Sequence, residues 1–188
     1  MKKKIYLILL GFISILNLNA QSPIFFHLNP GGYFTTENGE DYAVVSYEDK
    51  TAHELYQMIA TNISLLYNDP SKVMSGVDDS TIKVRAYCNS ICTKKLLMTF
   101  YGGGYYQLNF QFKEGKIRVS APRIEQRITF DSVPPTYGEF KDIVKNWYNK
   151  KGEIKDKNKK DVFNLESQIN VIINEILGLG DSNYDTDW

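Results

Sequence analysis

Between Ile82 and Ala121 the chain alternates apolar and polar residues with a period of two, in four successive runs. Ile82, Val84, Ala86 and Cys88 alternate with Lys83, Arg85 and Tyr87. Leu96, Met98 and Phe100 alternate with Leu97, Thr99 and Tyr101. Tyr106, Leu108, Phe110 and Phe112 alternate with Tyr105, Gln107, Asn109 and Gln111. Ile117, Val119 and Ala121 alternate with Lys116, Arg118 and Ser120. Successive side chains of a strand point to opposite faces, so the pattern predicts four half-buried strands. Glu114-Gly115 reads as a two-residue hairpin turn pairing Phe112 with Ile117 and Phe110 with Val119. Gly102–Gly104 reads as a loop, setting Phe100 opposite Tyr106 and Met98 opposite Leu108. A tight turn at Asn89–Ile91 sets Cys88 opposite Cys92 and Val84 opposite Leu96. Each register keeps apolar with apolar, and a slip of one residue would reverse every side chain.

Helical spacing brackets this meander. Thr51 and Glu54 have the spacing of a capping box, and Leu55, Met58, Ile59, Ile63 and Leu66 follow on one face. The reading is a helix over Thr51–Tyr67, stopped by Asn68-Asp69-Pro70. Ala43–Ser46 before it is a short strand, and Ile124–Phe130 after the meander either continues the last strand or adds one. Pro134-Pro135 breaks the pattern. Phe140, Ile143, Val144 and Trp147 mark a second helix across Tyr137–Asn149. A third helix at Asp161–Leu177 carries Leu165, Ile169, Ile172, Ile173 and Ile176, and Gly178 and Gly180 end it. The expected class is α+β, with helices on one sheet face and solvent on the other. The segments are a leader at residues 1–20, an irregular lead-in at 21–41, a domain at 42–149, and a C-terminal helix and acidic tail at 150–188.

The leader changes what the composition means. Lys2, Lys3 and Lys4 precede an apolar stretch from Ile5 to Leu18, and Ala20 offers a small residue for cleavage. Those 14 apolar positions fall short of the ~20 that span a bilayer, so the segment reads as a signal peptide. Cleavage after Ala20 leaves 168 residues, with 19 basic and 22 acidic side chains and a net charge of −3. That is enough chain for one domain with its own core. A mildly acidic, exported protein is not built as a nucleic-acid binder. No later stretch is apolar enough to span a membrane.

Thr51–Tyr56, Tyr67–Pro70, Ile82–Arg85 and Tyr105–Val119 together resemble a secreted Bacteroidota family of unknown function with a TBP-like fold. The resemblance covers roughly residues 42–123. It implies a β-α-β4-α arrangement and a periplasmic or secreted location, and it supplies no catalytic residue. The third helix and the tail lie beyond it. A TBP-like sheet implies a curved exposed face, used by TATA-binding protein on DNA, but a shared fold does not carry function with it.

That exposed face holds the candidate ligand-binding residues. The registers above align Arg85, Lys95, Gln111 and Arg118 in one row, with Lys83 one row before and Lys113 and Lys116 one row beyond. Like charges facing each other across strands destabilise a sheet unless something compensates. Tyr101, Tyr105 and Gln107 add stacking and amide surface towards the other end. The expected partner is an anionic glycan, a peptide or an envelope protein. The plain alternative is an ordinary solvated face, or one covered by the third helix or the acidic tail.

Cys88 and Cys92, in an exported chain, are expected to form a disulfide across the hairpin turn, contributing about 2 kcal/mol for so short a loop. Catalytic templates find little purchase. His27 and His53 are the only histidines, and neither has a nucleophile motif beside it. Gly102–Gly104 lacks the Lys-Ser/Thr of a phosphate loop. Asp181, Asn183, Asp185 and Asp187 have calcium-loop spacing, but Thr186 stands where Gly is needed and no closing Glu follows. No cofactor or metal is expected. The leading expectation is a non-catalytic binding module using the sheet face. The alternatives are a small hydrolase acting on envelope glycans or peptides, and a structural envelope component docking through its third helix.

Overall fold

The computed structural model describes residues 22–77, 79–95 and 97–179. The predicted leader and the acidic tail with its calcium-like spacing lie outside the described residues. In chain order come β1 (His27–Leu28), β2 (Phe34–Thr35), β3 (Tyr42–Ser46), α1 (Ala52–Leu66), α2 (Pro70–Val73) and β4 (Met74–Val77). Then follow β5 (Thr81–Lys95), β6 (Thr99–Lys113), β7 (Lys116–Ile124), β8 (Arg127–Phe130), β9 (Thr136–Glu139), α3 (Phe140–Trp147) and α4 (Lys159–Leu177).

One antiparallel sheet dominates, in the order β3-β7-β6-β5-β4, with β8 pairing β6 beyond the end of β7 and β9 pairing β8. Its inner face buries Ile82, Val84, Ala86, Leu108, Phe110, Ile117 and Val119, as the alternation predicts. The Glu114-Gly115 turn pairs Phe112 with Ile117 and Phe110 with Val119, as expected. Gly115 takes the left-handed conformation the turn requires, at φ 68°.

Two other registers differ from expectation. β5 and β6 are each 15 residues long, and Gly102–Gly104 lies inside β6 rather than in a loop. Cys88 pairs with Gly104 and Cys92 with Gly102, across a bulge between them, while Lys95 pairs with Thr99. The reversal therefore falls between Lys95 and Thr99, not at Asn89–Ile91. The glycines are needed because of what packs on them. A Cβ on Gly102 would sit 2.6 Å from Cys92 Sγ and 2.9 Å from both Ile128 and Phe130. Backbone close approach, rather than chain reversal, is what the run provides.

The helices cover the inner face. α1 forms as the sequence predicts: Thr51 Oγ1 accepts from Glu54 N, and Glu54 Oε2 accepts from Thr51 N. It buries Leu55, Ile59 and Ile63. α4 buries Val162, Leu165, Ile169, Ile173, Ile176 and Leu177 in the same core, so its apolar arc is spent inside the molecule. It ends at Gly178, left-handed at φ 69°. Its last carbonyls are taken by side chains, Ile176 O by Asn62 and Leu177 O by the Tyr47 hydroxyl. α3 begins three residues later than predicted, because Thr136–Glu139 extends as β9.

The lead-in is ordered rather than irregular. Asn29 Oδ1 accepts from Gly31 N and Tyr33 N, folding β1 onto β2. Phe26, Leu28 and Phe34 then enter the common core. Among the described residues no helix is long and apolar enough to cross a membrane.

Candidate functional site

The outer face of the sheet carries the residues that alternate with the core. Lys83, Arg85, Tyr87, Tyr101, Tyr105, Gln107, Gln111 and Arg118 are all exposed, and no described element lies over them. The third helix packs its apolar side on the inner face, but its first turns reach the far end of the sheet. There Lys95, Thr99 and Tyr101 share a depression with Lys160, Asp161 and Asn164, and Thr93 Oγ1 donates to Asp161. The expected basic row is corrected by the registers. Gln111 does pair with Arg118, but its partner on β5 is Thr81. Arg85 pairs with Gln107, four residues away, and Lys95 lies at the far end of β5 opposite Thr99. The cause is that the strands reverse between Lys95 and Thr99, which shifts β5 against β6 relative to the assumed turn.

What forms instead is three rows with different chemistry. Lys83, Asn109 and Ser120 face one another across β5, β6 and β7. Arg85, Gln107 and Arg123 form the next row. Tyr87 and Tyr105 form the third, with ring centroids 5.1 Å apart and nearly perpendicular. β7 holds one more residue than β6 between the first two rows, a bulge at Ala121-Pro122. Proline suits that position because a bulged residue need not donate to the ladder.

The Arg85 row is tightly organised. Arg85 Nε donates to Glu125 Oε1 at 2.6 Å and Nη2 to Glu125 Oε2 at 2.9 Å. Its guanidinium also lies 3.7 Å from the Tyr105 ring centroid, a stacked cation–π contact. Gln107 Nε2 donates to Glu125 Oε1 at 3.1 Å. The Arg85 hydrogen bonds hold the Glu125 carboxyl below its ordinary range. Arg118, by contrast, stacks on Tyr42 at 4.1 Å. Neither Tyr87, Glu125 nor Arg123 was singled out from the sequence. The signal was available for Tyr87, which shares parity with Arg85, but Glu125 and Arg123 lie past the bulge, where parity is reset.

Two depressions open on this face. The first, of about 440 Å³, is bounded by Tyr87, Tyr101, Gly103, Thr129, Asp131 and Pro135. Gly103 is its floor, and a Cβ there would meet the Tyr87 hydroxyl at 2.5 Å. The second, of about 460 Å³, lies at the bulge and is bounded by Lys83, Arg85, Gln107, Asn109, Ser120 and Arg123. Tyr105, packed against both Tyr87 and Arg85, stands between them.

The predicted disulfide is absent: both thiols are free. Cys88 and Cys92 flank a bulge on one strand instead of facing each other across a turn. Cys88 Sγ donates to Gln168 Oε1 at 3.3 Å. Burial raises both thiols, Cys92 to about 12. The histidines pair with carboxylates, His53 with Asp79 at 2.8 Å and His27 with Glu166 at 3.5 Å. Among the described residues no three His, Cys, Asp or Glu side chains gather as a metal site.

A large antiparallel sheet with helices packed on one face is a TBP-like architecture. Two solved structures share it with this chain. A TBP-like protein from Parabacteroides distasonis aligns with a TM-score of 0.51 at 10% identity, covering 73% of this chain and 89% of that one. A DUF4468 family protein from Bacteroides ovatus aligns with a TM-score of 0.51 at 10% identity, covering 76% of this chain and 87% of that one. The fold and the Bacteroidota neighbours agree with the resemblance read from the sequence. No protein-family model and no curated protein matches the chain.

Proposed function

We propose that this protein is an exported, non-catalytic binding module that lays an extended glycan along the outer face of its sheet. The observation that carries the reading is the depression bounded by Tyr87 and Tyr101 beside the buried backbone of Gly103, with Tyr105 beyond. Rings standing about half exposed around this depression offer apolar faces to the C–H face of a sugar, with hydroxyls at their edges. Period two places Tyr101, Gly103, Tyr105, Gln107 and Asn109 in a line of about 27 Å on one strand. Such a surface suits a chain-like ligand better than a compact one.

The ionisation of Glu125 suits a positioning partner of Arg85 rather than a proton donor. Glycoside hydrolysis needs one carboxyl held neutral by a raised pKa. On this face the Glu125 carboxyl shifts downward instead, held charged by hydrogen bonds from Arg85 and Gln107. The test is affinity electrophoresis of the protein lacking residues 1–20 through gels containing bacterial and host polysaccharides. At least one polymer should retard it, and Tyr101→Ala should abolish most of the retardation. Migration unchanged by any polymer, or retardation indifferent to Tyr101→Ala, would overturn the reading.

A further inference from the structure

We infer that the depression at the β7 bulge is an anion subsite, so that the glycan on this face is one whose sugars carry carboxylate or sulfate groups. The inference rests on the binding reading above and adds the chemical class of the ligand. Three cations converge there on two adjacent rows: Lys83 beside Asn109 and Ser120, and Arg85 and Arg123 on either side of Gln107. Among the described residues only Arg85 is neutralised, by Glu125. Lys83 and Arg123 form no salt bridge among the described residues. Two charges without a described ion-pair partner, flanking one depression in a chain with a leader-free net charge of −3, form a local field that favours an anion.

A second observation points to hydroxyls as well as charge. Asn109 Oδ1 is buried in the wall of this depression and has no hydrogen-bond partner, while its Nδ2 donates to Ser120 Oγ at 3.4 Å. A buried acceptor without a donor is costly, and a ligand O–H would satisfy it once the carboxamide turns outward, giving up only the long 3.4 Å bond to Ser120 Oγ. One ligand that both donates hydroxyls and presents an anion is an acidic sugar. Arg85 is fixed by its two bonds to Glu125 and by stacking on Tyr105. Its charge is therefore preoriented at the boundary between the acid subsite and the tyrosine floor. The ligand would thus stack on the tyrosines and place one acidic group at the bulge.

The test compares polygalacturonate, hyaluronate and heparan sulfate with fully methyl-esterified polygalacturonate, which keeps the backbone and loses the charge. Binding is read by calorimetry on the protein lacking residues 1–20, at low and physiological salt. At least one acidic polymer should bind, weakening with salt, and the neutral ester should bind at least tenfold more weakly. Lys83→Gln with Arg123→Gln should weaken acidic binding by more than tenfold, while Lys83→Arg with Arg123→Lys should retain it. Unchanged circular dichroism and melting of the double variant exclude misfolding. Equal affinity for acidic and neutral polymers, with Tyr101→Ala still reducing both, overturns the acid subsite and leaves the tyrosine floor standing. Binding by none of the four polymers overturns the acid subsite alone, since the tyrosine floor is tested on its own wider set. Distinguishing sulfate from carboxylate follows from which acidic polymer the charge-removed variant releases.

Discussion

Asn170, buried in α4, presents both halves of its carboxamide to Phe26, 144 residues earlier: Oδ1 accepts from Phe26 N and Nδ2 donates to Phe26 O, each at 2.9 Å. Asn174 does the same for Ile24, at 2.9 and 2.8 Å. Leu28 N donates to Glu166 Oε1 at 2.7 Å, and Leu28 O accepts from the Tyr148 hydroxyl. The match is geometric. Two residues of extended chain advance about 6.6 Å and four residues of helix about 6 Å, so alternate backbone groups meet successive helical turns. A helix face thereby replaces a neighbouring strand for the lead-in.

Removing one rung should therefore cost more than an ordinary surface hydrogen bond. Asn170→Ala leaves the N–H and C=O of Phe26 buried without partners, and the expected loss is about 2–4 kcal/mol. Urea unfolding reads it as a lower midpoint. Hydrogen exchange at the Phe26 amide should accelerate in step. A midpoint within about 0.5 kcal/mol of the parent would mean that the rung is replaced by water at no cost.

The rung at Ile24 also bears on the export proposal. Cleavage after Ala20 leaves only Gln21, Ser22 and Pro23 before the first anchored residue, so processing there spares the latch. Expressed in its own cells, the protein should appear outside the cytoplasm with an intact mass that begins at Gln21. Retention of residues 1–20 in the exported fraction would show an uncleaved anchor instead.

Buried phenols make the fold sensitive to alkali. Tyr148 is pushed to about 12, first by burial and then by the nearby Glu166 charge. Tyr47, Tyr67 and Tyr106 are likewise raised chiefly by burial. Above pH ~10 the unfolded chain releases these protons while the native state keeps them, so stability falls as pH rises. Tyr148 alone removes about 3 kcal/mol between pH ~10 and 12. Its ionisation also takes away the donor held by Leu28 O. Melting temperature should stay level to about pH 9 and then drop, and tyrosinate absorbance should appear with unfolding rather than before it. Full phenolate absorbance in a still-folded protein contradicts this.

Legibility in the sequence followed locality. The capping box of α1 and the Glu114-Gly115 turn depend on residues within five positions, and both are where the pattern places them. The glycine run misled because glycine marks both turns and close approach. Its true cause, the rings of Tyr87 and Phe130 and the methyls of Ile128 on its two faces, lies up to 28 residues away. That error shifted β5 on β6 and scattered the supposed basic row, though it left individual residues such as Lys83 and Arg85 on the predicted face. The lead-in was unreadable for the same reason: its strand-like backbone is satisfied by Asn170 and Asn174, polar residues inside an otherwise apolar helix face. No period in residues 21–41 encodes that.

The thiols give a direct chemical check on the β5–β6 register. Cys88 and Cys92 are free, and burial holds Cys92 at about 12. Alkylation in denaturant without reductant should add two labels per chain. In the native protein at pH 8, Cys92 should react far more slowly than an exposed thiol, because almost none of it is thiolate. A requirement for reductant before labelling would restore the cross-strand disulfide and the turn at Asn89–Ile91.

Neighbouring glycines should separate stability from binding. A methyl on Gly102 points at Cys92, Ile128 and Phe130, all in the packed core, with distances of 2.6–2.9 Å that require the core to move. Gly102→Ala should cost about 1–3 kcal/mol, seen as a lower melting temperature. A methyl on Gly103 points at the Tyr87 ring, 2.5 Å from the hydroxyl end of a half-exposed side chain whose ring also packs on that of Tyr105. It also sits 3.0 Å from the Cys88 carbonyl, a contact that a shift of a few tenths of an ångström relieves. Gly103→Ala should therefore melt closer to the parent than Gly102→Ala does. It should nevertheless lose most of its polysaccharide retardation, because the methyl fills the floor and displaces the ring that walls it. If both variants lose stability equally and Gly103→Ala still binds, the tyrosine floor is not the ligand's seat.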